Sequence, residues 1–366
     1  MPSQKVLNVA VIGCGEVAQC VHIPNLLMDH DRWKITALCD LSPHSLQYCG
    51  VRSGVPPERH FTAVPDMLSS ATPIDVVFVL TADQYHAEHV IACADAGKHV
   101  MIEKPMAQTE AEADGIEAAR QRNGVVIFVG YMRRYATALL RMKEVLDGKE
   151  IKYVRVRDII GRNAYFTAQA GMHLKYFTDF PASSQSDRTA RIAANLKENL
   201  PNATDDPRNA ASMAVLGSLA SHDLSAMRDL IGMPERCIAA TRAEGEGVWW
   251  TALFKYQGFK AYFEMIIDEV AIFDAHIEVY TKNERIKIQY DTPYVKGLPI
   301  KLTIQTELPT GDFSEQIIRP TYEDPYVLEL KELYAAIVDA KPYKTTPVDA
   351  KNDILLAKMI MGALVD

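Results

Sequence analysis

The chain has 366 residues, 48% apolar and 23% charged, with 47 acidic against 39 basic side chains and a net charge of −8. That length exceeds one ordinary core and suits two domains with ample apolar surface, so no disulfide or metal staple is required for stability. The acidic balance, without basic blocks, excludes a protein built to neutralise nucleic-acid phosphates and speaks against docking on anionic membranes.

In chain order, Val6–Ile12 reads as a buried strand, Gly13–Ala18 as a turn and Gln19–Met28 as a helix. A strand starting so early leaves no room for a cleavable leader, and no apolar run approaches the roughly 18–20 residues of a membrane span, so a cytoplasmic protein is expected. Trp33–Cys39 is the second strand and Ser45–Ser53 looks helical. Val76–Leu80 is short and almost wholly apolar, as in a strand covered on both faces of a parallel sheet. His86–Ala96 and Thr109–Asn123 read as helices stopped by Gly97 and Gly124, and His99–Ile102 and Val125–Val129 as strands. Strands alternating with helices imply crossover units and a doubly wound parallel sheet over residues 1–130.

Beyond residue 130 the rhythm changes. Ile151–Ile160 alternates in part, and Trp249–Tyr256, Ala261–Ile267, His276–Thr281 and Arg285–Tyr290 are strand-like runs without intervening helices. They predict an α+β domain over residues 131–366 built on a mostly antiparallel open sheet, with its C-terminal helices free to pack back on the first domain. Gly217–Ile231 reads as a helix stopped by Gly232 and Pro234, and Pro325–Val338 and Ala350–Leu364 as further helices. The span 162–211 is polar and irregular, with short helical pieces such as Thr189–Asn199, and reads as a long loop or lid. Cys14, Cys20, Cys39, Cys49, Cys93 and Cys237 form no C-x-x-C pair, so no metal site is expected and the thiols read as reduced core residues.

Gly13-Cys14-Gly15-Glu16-Val17-Ala18 fits G-x-G-x-x-A between a strand and a helix. In that context Gly13 permits the tight turn and Gly15 lets the backbone approach a pyrophosphate. Ala18 allows close packing, and the helix N-terminus faces the phosphates. The second strand ends at Asp40, where a carboxylate accepts both ribose hydroxyls and repels a 2′-phosphate. The expected cofactor is therefore NAD rather than NADP.

The stretch from Ala96 to Glu103-Lys104-Pro105 closely resembles the corresponding strand of the glucose-fructose oxidoreductase / inositol dehydrogenase / rhizopine-catabolism (Gfo/Idh/MocA) family. Thr81-Ala82-Asp83-Gln84-Tyr85-His86 (with Ala82 and Asp83 where the family usually has Pro and Asn), Gly130-Tyr131-Met132-Arg133-Arg134-Tyr135, Ser218 through His222-Asp223, Asp324-Pro325-Tyr326 and the Thr-Pro pattern at Thr346 follow the family's segments in order. The resemblance implies a Rossmann domain joined to a substrate-bearing sheet, often in dimers or tetramers formed through that sheet. It also implies hydride transfer at one carbinol carbon of a sugar, polyol or cyclitol.

It assigns Lys104 as the cation at the reacting oxygen and His222 as the base, with Thr81, His86, Glu103, Lys104 and Pro105 on the cofactor side. Tyr131, Arg133, Arg134, Ser218 and Asp223 fall on the substrate side. His22 and Pro24 resemble family residues that support packing. Tyr165, His173 and Tyr176 are candidates for closing over a ligand. One departure stands out: the family's aspartate four residues before the histidine is Ser218 here, which forms hydrogen bonds but carries no charge. That opens two alternatives: NAD-assisted glycoside cleavage or epimerisation through transient oxidation, and a non-catalytic dinucleotide or sugar sensor. The intact Glu103-Lys104-Pro105 argues against the sensor.

Overall fold

The computed structural model describes residues 5–201, 206, 208–244 and 247–365. Two compact units form. The first holds the chain up to Gly130 with Gly171–Ala211 and Glu329–Ile354; the second holds Tyr131–Ala170, Ser212–Leu328 and the chain from Leu355.

In the first unit, β1 (Leu7–Ile12), β2 (Trp33–Cys39), β3 (His60–Phe61), β4 (Val76–Val79), β5 (His99–Glu103) and β6 (Ile127–Gly130) form one sheet in the order β3-β2-β1-β4-β5-β6. Every pairing is parallel. The expected doubly wound sheet is thus present, with the order reversing between β1 and β4, where such sheets open a crevice at their carboxyl edge. Val76 to Val79 are all fully buried, which explains why that strand is apolar throughout rather than alternating.

In the second unit, β7 (Ile151–Gly161), β8 (Arg236–Arg242), β9 (Val248–Lys255), β10 (Lys260–Asp268), β11 (Phe273–Thr281), β12 (Glu284–Tyr290), β13 (Lys301–Glu307) and β14 (Phe313–Ile318) form the second sheet. Its order is β14-β13-β12-β11-β7-β10-β9-β8. It is antiparallel except where β7 runs parallel to β10. Inward positions alternate along it: Val154 and Val156, Ala261, Phe263 and Met265, and Ile277 and Val279 are fully buried.

The helices in chain order are α1 (Ile23–Met28), α2 (Pro43–Ser53), α3 (Val64–Ser69), α4 (His86–Asp95), α5 (Glu110–Asn123), α6 (Met132–Tyr135), α7 (Thr137–Leu146), α8 (Asn163–Thr167), α9 (Ser183–Asn199), α10 (Arg208–Val215), α11 (Ser221–Ile231), α12 (Pro325–Val338) and α13 (Pro347–Met361). Local chemistry sets several ends. Thr109 and Glu112 form a reciprocal capping box at the start of α5, and Gly124, at φ 62°, ends it. Among the described residues no helix is long and apolar enough to cross a membrane.

The sequence reading needs three amendments here. The helix expected from Gln19 starts earlier, through a π-helical turn at Ala18–His22. A second π-helical turn, Leu216–Ala220, leads into α11. The pieces expected near Thr189–Asn199 form one helix of 17 residues, α9.

The outer strand β6 is covered late in the chain. Val129 N–H donates to Thr345 O at 3.0 Å, Tyr343 O–H donates to Ile127 O at 3.0 Å, and the Tyr343 ring stacks on Phe128 at 5.5 Å. Tyr334 packs edge-on against Trp33 and donates to Lys5 O at 2.6 Å.

Candidate active site

The turn after β1 is tight and leaves its backbone open at Gly15. Gly13 has φ 93°, and a Cβ there would lie 2.6 Å from the Leu80 carbonyl oxygen. Only glycine fits so close an approach of the two turns at the reversal point. At Gly15 a Cβ would meet nothing within 4 Å, which leaves the room a pyrophosphate needs at the backbone. Substituting Gly13→Ala is expected to cost about 1–3 kcal/mol of stability through strain. It should also remove the thermal shift that added dinucleotide gives; melting curves with and without nucleotide check both.

Asp40 closes the turn. Its carboxylate accepts from Cys14 N–H at 2.7 Å and from Ser42 N–H at 2.8 Å. Burial raises its pKa, and those two N–H donors work in the opposite direction. The carboxylate is therefore held in a fixed orientation beside the turn, as a ribose acceptor requires.

The second constellation lies at the end of β5. Glu103 is buried and bonds the imidazole Nε2 of His22 at 2.7 Å. Its other oxygen accepts from Lys104 N–H at 3.2 Å. Burial alone would raise its pKa, but the His22 hydrogen bond and the charges of His22 and Lys104 hold it below the usual glutamate range. Lys104 is half-buried, and its peptide to Pro105 is cis. His86, fully buried, sits between the carbonyls of Pro105 (2.7 Å) and Thr81 (3.0 Å). It ties the turn after β4 to the turn carrying Lys104. Thr81 faces His89, whose pKa burial pushes down to about 4. Glu16, in the first turn, accepts from Tyr176 O–H at 2.6 Å.

In the second unit, His222 is half-buried on α11, one residue after Ser221 bonds back to Ser218 O at 3.0 Å. The adjacent Asp223 is fully buried and accepts from Arg133. Arg133 also lies 3.7 Å from the fully buried Asp158 of β7 and 4.9 Å from the ring of Tyr290. Burial raises the Asp223 pKa far above the aspartate range; Asp158 raises it further and Arg133 counteracts.

Arg134 is buried too, 3.6 Å from Asp229, which Lys143 also reaches at 3.0 Å, and its guanidinium lies 5.7 Å from the Tyr131 ring. Arg133, Arg134 and Asp223 are thus all buried and paired within this unit. The cations are committed to carboxylates inside the unit, because partners far away in sequence surround them. A cavity beside Arg133 and Tyr290 has a volume of about 30 Å³, room for water and far below a sugar ring.

The span 171–199, expected as a loop or lid, contributes groups that sequence reasoning passed over. Asp179, Lys175 and Arg188 bond to Ser42, Gln19 and Gln84 respectively. Of the aromatic and histidine candidates there, Tyr176 bonds Glu16 and the His173 carbonyl accepts from Tyr48. Tyr165 donates to Glu269 in the second unit.

Comparison with known proteins agrees with this architecture. Residues 7–131 match the family described as "Oxidoreductase family, NAD-binding Rossmann fold". The chain is 32% identical over 157 residues to 1-carboxy-3-chloro-3,4-dihydroxycyclohexa-1,5-diene dehydrogenase of Comamonas testosteroni, covering 43% of this chain and 38% of that one. It is 33% identical over 162 residues to inositol 2-dehydrogenase 2 of Saccharopolyspora erythraea, covering 43% and 46%. The chain thus spans less than half the length of the curated relatives it matches.

Among solved structures, a 3-ketoreductase from Actinomadura kijaniata in complex with TDP-benzene and NADP superposes with a TM-score of 0.73 at 16% identity, over 99% of both chains. An aldose-aldose oxidoreductase from Caulobacter crescentus complexed with glycerol gives 0.70 at 19%, over 98% and 97%. At such identities these two likenesses speak to the fold alone. The match to that oxidoreductase family, with its NAD-binding Rossmann fold, is confined to residues 7–131.

Proposed function

We propose that the chain is an NAD-dependent oxidoreductase moving a hydride between the nicotinamide and a carbinol or carbonyl carbon of a sugar, polyol or cyclitol. The observation that carries this reading is the carboxyl edge of one parallel sheet. There the Gly13–Ala18 cradle, Asp40 and Lys104 follow β1, β2 and β5. Bound NAD supplies the hydride acceptor or donor. The chain supplies the rest: Asp40 holds the ribose hydroxyls, the N–H groups after Gly13 face the pyrophosphate, and Lys104 stabilises negative charge on the reacting oxygen. His222 takes or returns the hydroxyl proton, which suits an imidazole at neutral pH. Arg133 and Asp223 act through α11, fixing the helix that carries His222.

Relatives named as inositol and cyclohexadiene-diol dehydrogenases support a cyclic polyol as substrate class. We place self-association on the open face of the eight-stranded sheet, which light scattering of the purified chain tests. The deciding assay is NADH formation against a panel of sugars, polyols and cyclitols. NADH with one class establishes the dehydrogenase. Ser218 in place of a carboxylate favours a second reading, transient oxidation within an epimerase or glycosidase. That reading predicts substrate conversion without net NADH, and no conversion across the panel overturns both.

A further inference from the structure

We infer that Asp179 sets the nucleotide preference of this chain, excluding a 2′-phosphate from the adenosine ribose by occupying the groups that would bind it. The inference rests on the dinucleotide reading of the first unit proposed above.

Helix α2 begins directly after β2, with Ser42 as its N-cap. The His44 backbone N–H, the Ser42 hydroxyl and the His44 imidazole together make an anion-binding corner at that helix end; Pro43 has no N–H, and Ser45 N–H caps onto Ser42 Oγ. The corner lies beside Asp40, since Ser42 N–H donates to Asp40 at 2.8 Å. It is the place next to the ribose acceptor where a 2′-phosphate would find donors.

In this chain a carboxylate from a distant segment is already there. Ser42 Oγ–H donates to Asp179 Oδ1 at 2.5 Å, His44 N–H donates to Asp179 Oδ2 at 3.1 Å, and His44 Nδ1 lies 3.2 Å from the same oxygen. The corner's donors are therefore engaged, and two carboxylates, Asp40 and Asp179, bracket Ser42. Each bears on the other's titration: Asp179 adds to the upward push on Asp40, while the Ser42 hydroxyl holds Asp179 below its ordinary value.

The segment carrying Asp179 is anchored along its length to the elements that frame the adenosine half. Arg52 donates to Met172 O at 2.6 Å, and Tyr48 O–H donates to His173 O. The Gln19 side chain exchanges two bonds with the Lys175 backbone, both at 2.9 Å. Tyr176 O–H donates to Glu16, and the Phe177 ring lies 5.9 Å from His44 and 6.0 Å from Tyr48. Asp179 thus sits on a strap fixed at several points rather than on a free tip. A ribose with two hydroxyls donates to carboxylates; a 2′-phosphate brings negative charge and only acceptors, so it must displace Asp179 and stand beside Asp40.

The test is calorimetric titration of the full chain, stripped of nucleotide, with NAD and with NADP. Wild type, Asp179→Asn, Asp179→Ala and the charge-retaining Asp179→Glu are compared, each first shown to melt cooperatively. Wild type is expected to prefer NAD. Asn and Ala should narrow the NAD-to-NADP affinity ratio by about tenfold or more, because like-charge juxtaposition costs on the order of a kcal/mol or more. Glu should retain most of the preference. Wild type preferring NAD with an unchanged ratio in Asn and Ala overturns the role of Asp179 and leaves the dinucleotide reading standing. Wild type preferring NADP overturns the inference, and wild type binding neither nucleotide overturns the reading and the inference together.

Discussion

Replacing Lys104 by alanine is expected to lower kcat by about 10²–10⁴-fold while leaving NAD affinity within a few-fold of wild type. The lysine follows β5 with its backbone N–H bound to Glu103, and Glu103 is itself held by His22, so its stem starts from a braced position. Removing the ammonium takes away charge where an alkoxide develops, and that loss appears in the transition state rather than in nucleotide binding. The contacts proposed for the pyrophosphate and the ribose lie instead at Gly13–Ala18 and Asp40. Lys104→Arg is expected to rescue little, since a planar fork replaces a compact point charge. Single-turnover rates together with NAD titration separate the two effects, and a fully active alanine variant removes Lys104 from the mechanism.

Arg133→Met is expected to be the most destabilising single change in the second unit, at about 3–5 kcal/mol. With the guanidinium gone, Asp223 and Asp158, both fully buried, confront each other without a cation. For a unit of this size the loss corresponds to a fall in melting temperature on the order of ten degrees. The pH dependence has a definite sign. The folded pKa of Asp223 is raised above its unfolded value, so the folded state binds the extra proton. Stability from this group is complete below the unfolded value near 3.8 and is lost as pH rises through the folded one. Without Arg133 that folded pKa moves higher still, so the variant should regain part of its stability as pH falls from neutral towards mildly acidic. Asp223→Asn in the Arg133→Met background should restore part of the loss at neutral pH, because it removes the group whose ionisation the folded state disfavours. Melting curves across pH check both statements, and an unaffected melting temperature removes the cluster from the stability of this unit.

Local chemistry made the first sheet readable. Val76–Val79 is apolar because it is covered on both faces, and Gly13 and Gly124 mark turns that require positive φ. What escaped lacks a strong local signal. Strand β3 is two residues long, and β14, at the sheet edge, is mostly exposed from Phe313 to Ile318, so its alternation is faint. Helix α9 buries only Asn199, leaving no apolar stripe to reveal its full length.

Among the candidate residues, Gly13–Ala18 and Asp40 stand out in the sequence through their spacing from strand ends, and Lys104 through the resemblance carried by Glu103-Lys104-Pro105. The pairing of Arg133 with Asp223 and Asp158 does not, because it joins three elements through tertiary packing. Asp179 was invisible for the same reason: its partner Ser42 lies 137 residues away in a polar segment with no motif.

The cover over β6 bears on how the chain is made. Thr345 and Tyr343 supply the partners of the outer strand, and Tyr334 packs on Trp33. These groups leave the ribosome roughly two hundred residues after β6 itself, and β7 must likewise wait about a hundred residues for β10 and β11. A nascent chain at mid-synthesis therefore carries a strand edge that is complete in sequence but still unpaired. Premature release would leave that edge open to other chains, so the C-terminal third acts as an internal guard against aggregation as well as a structural part.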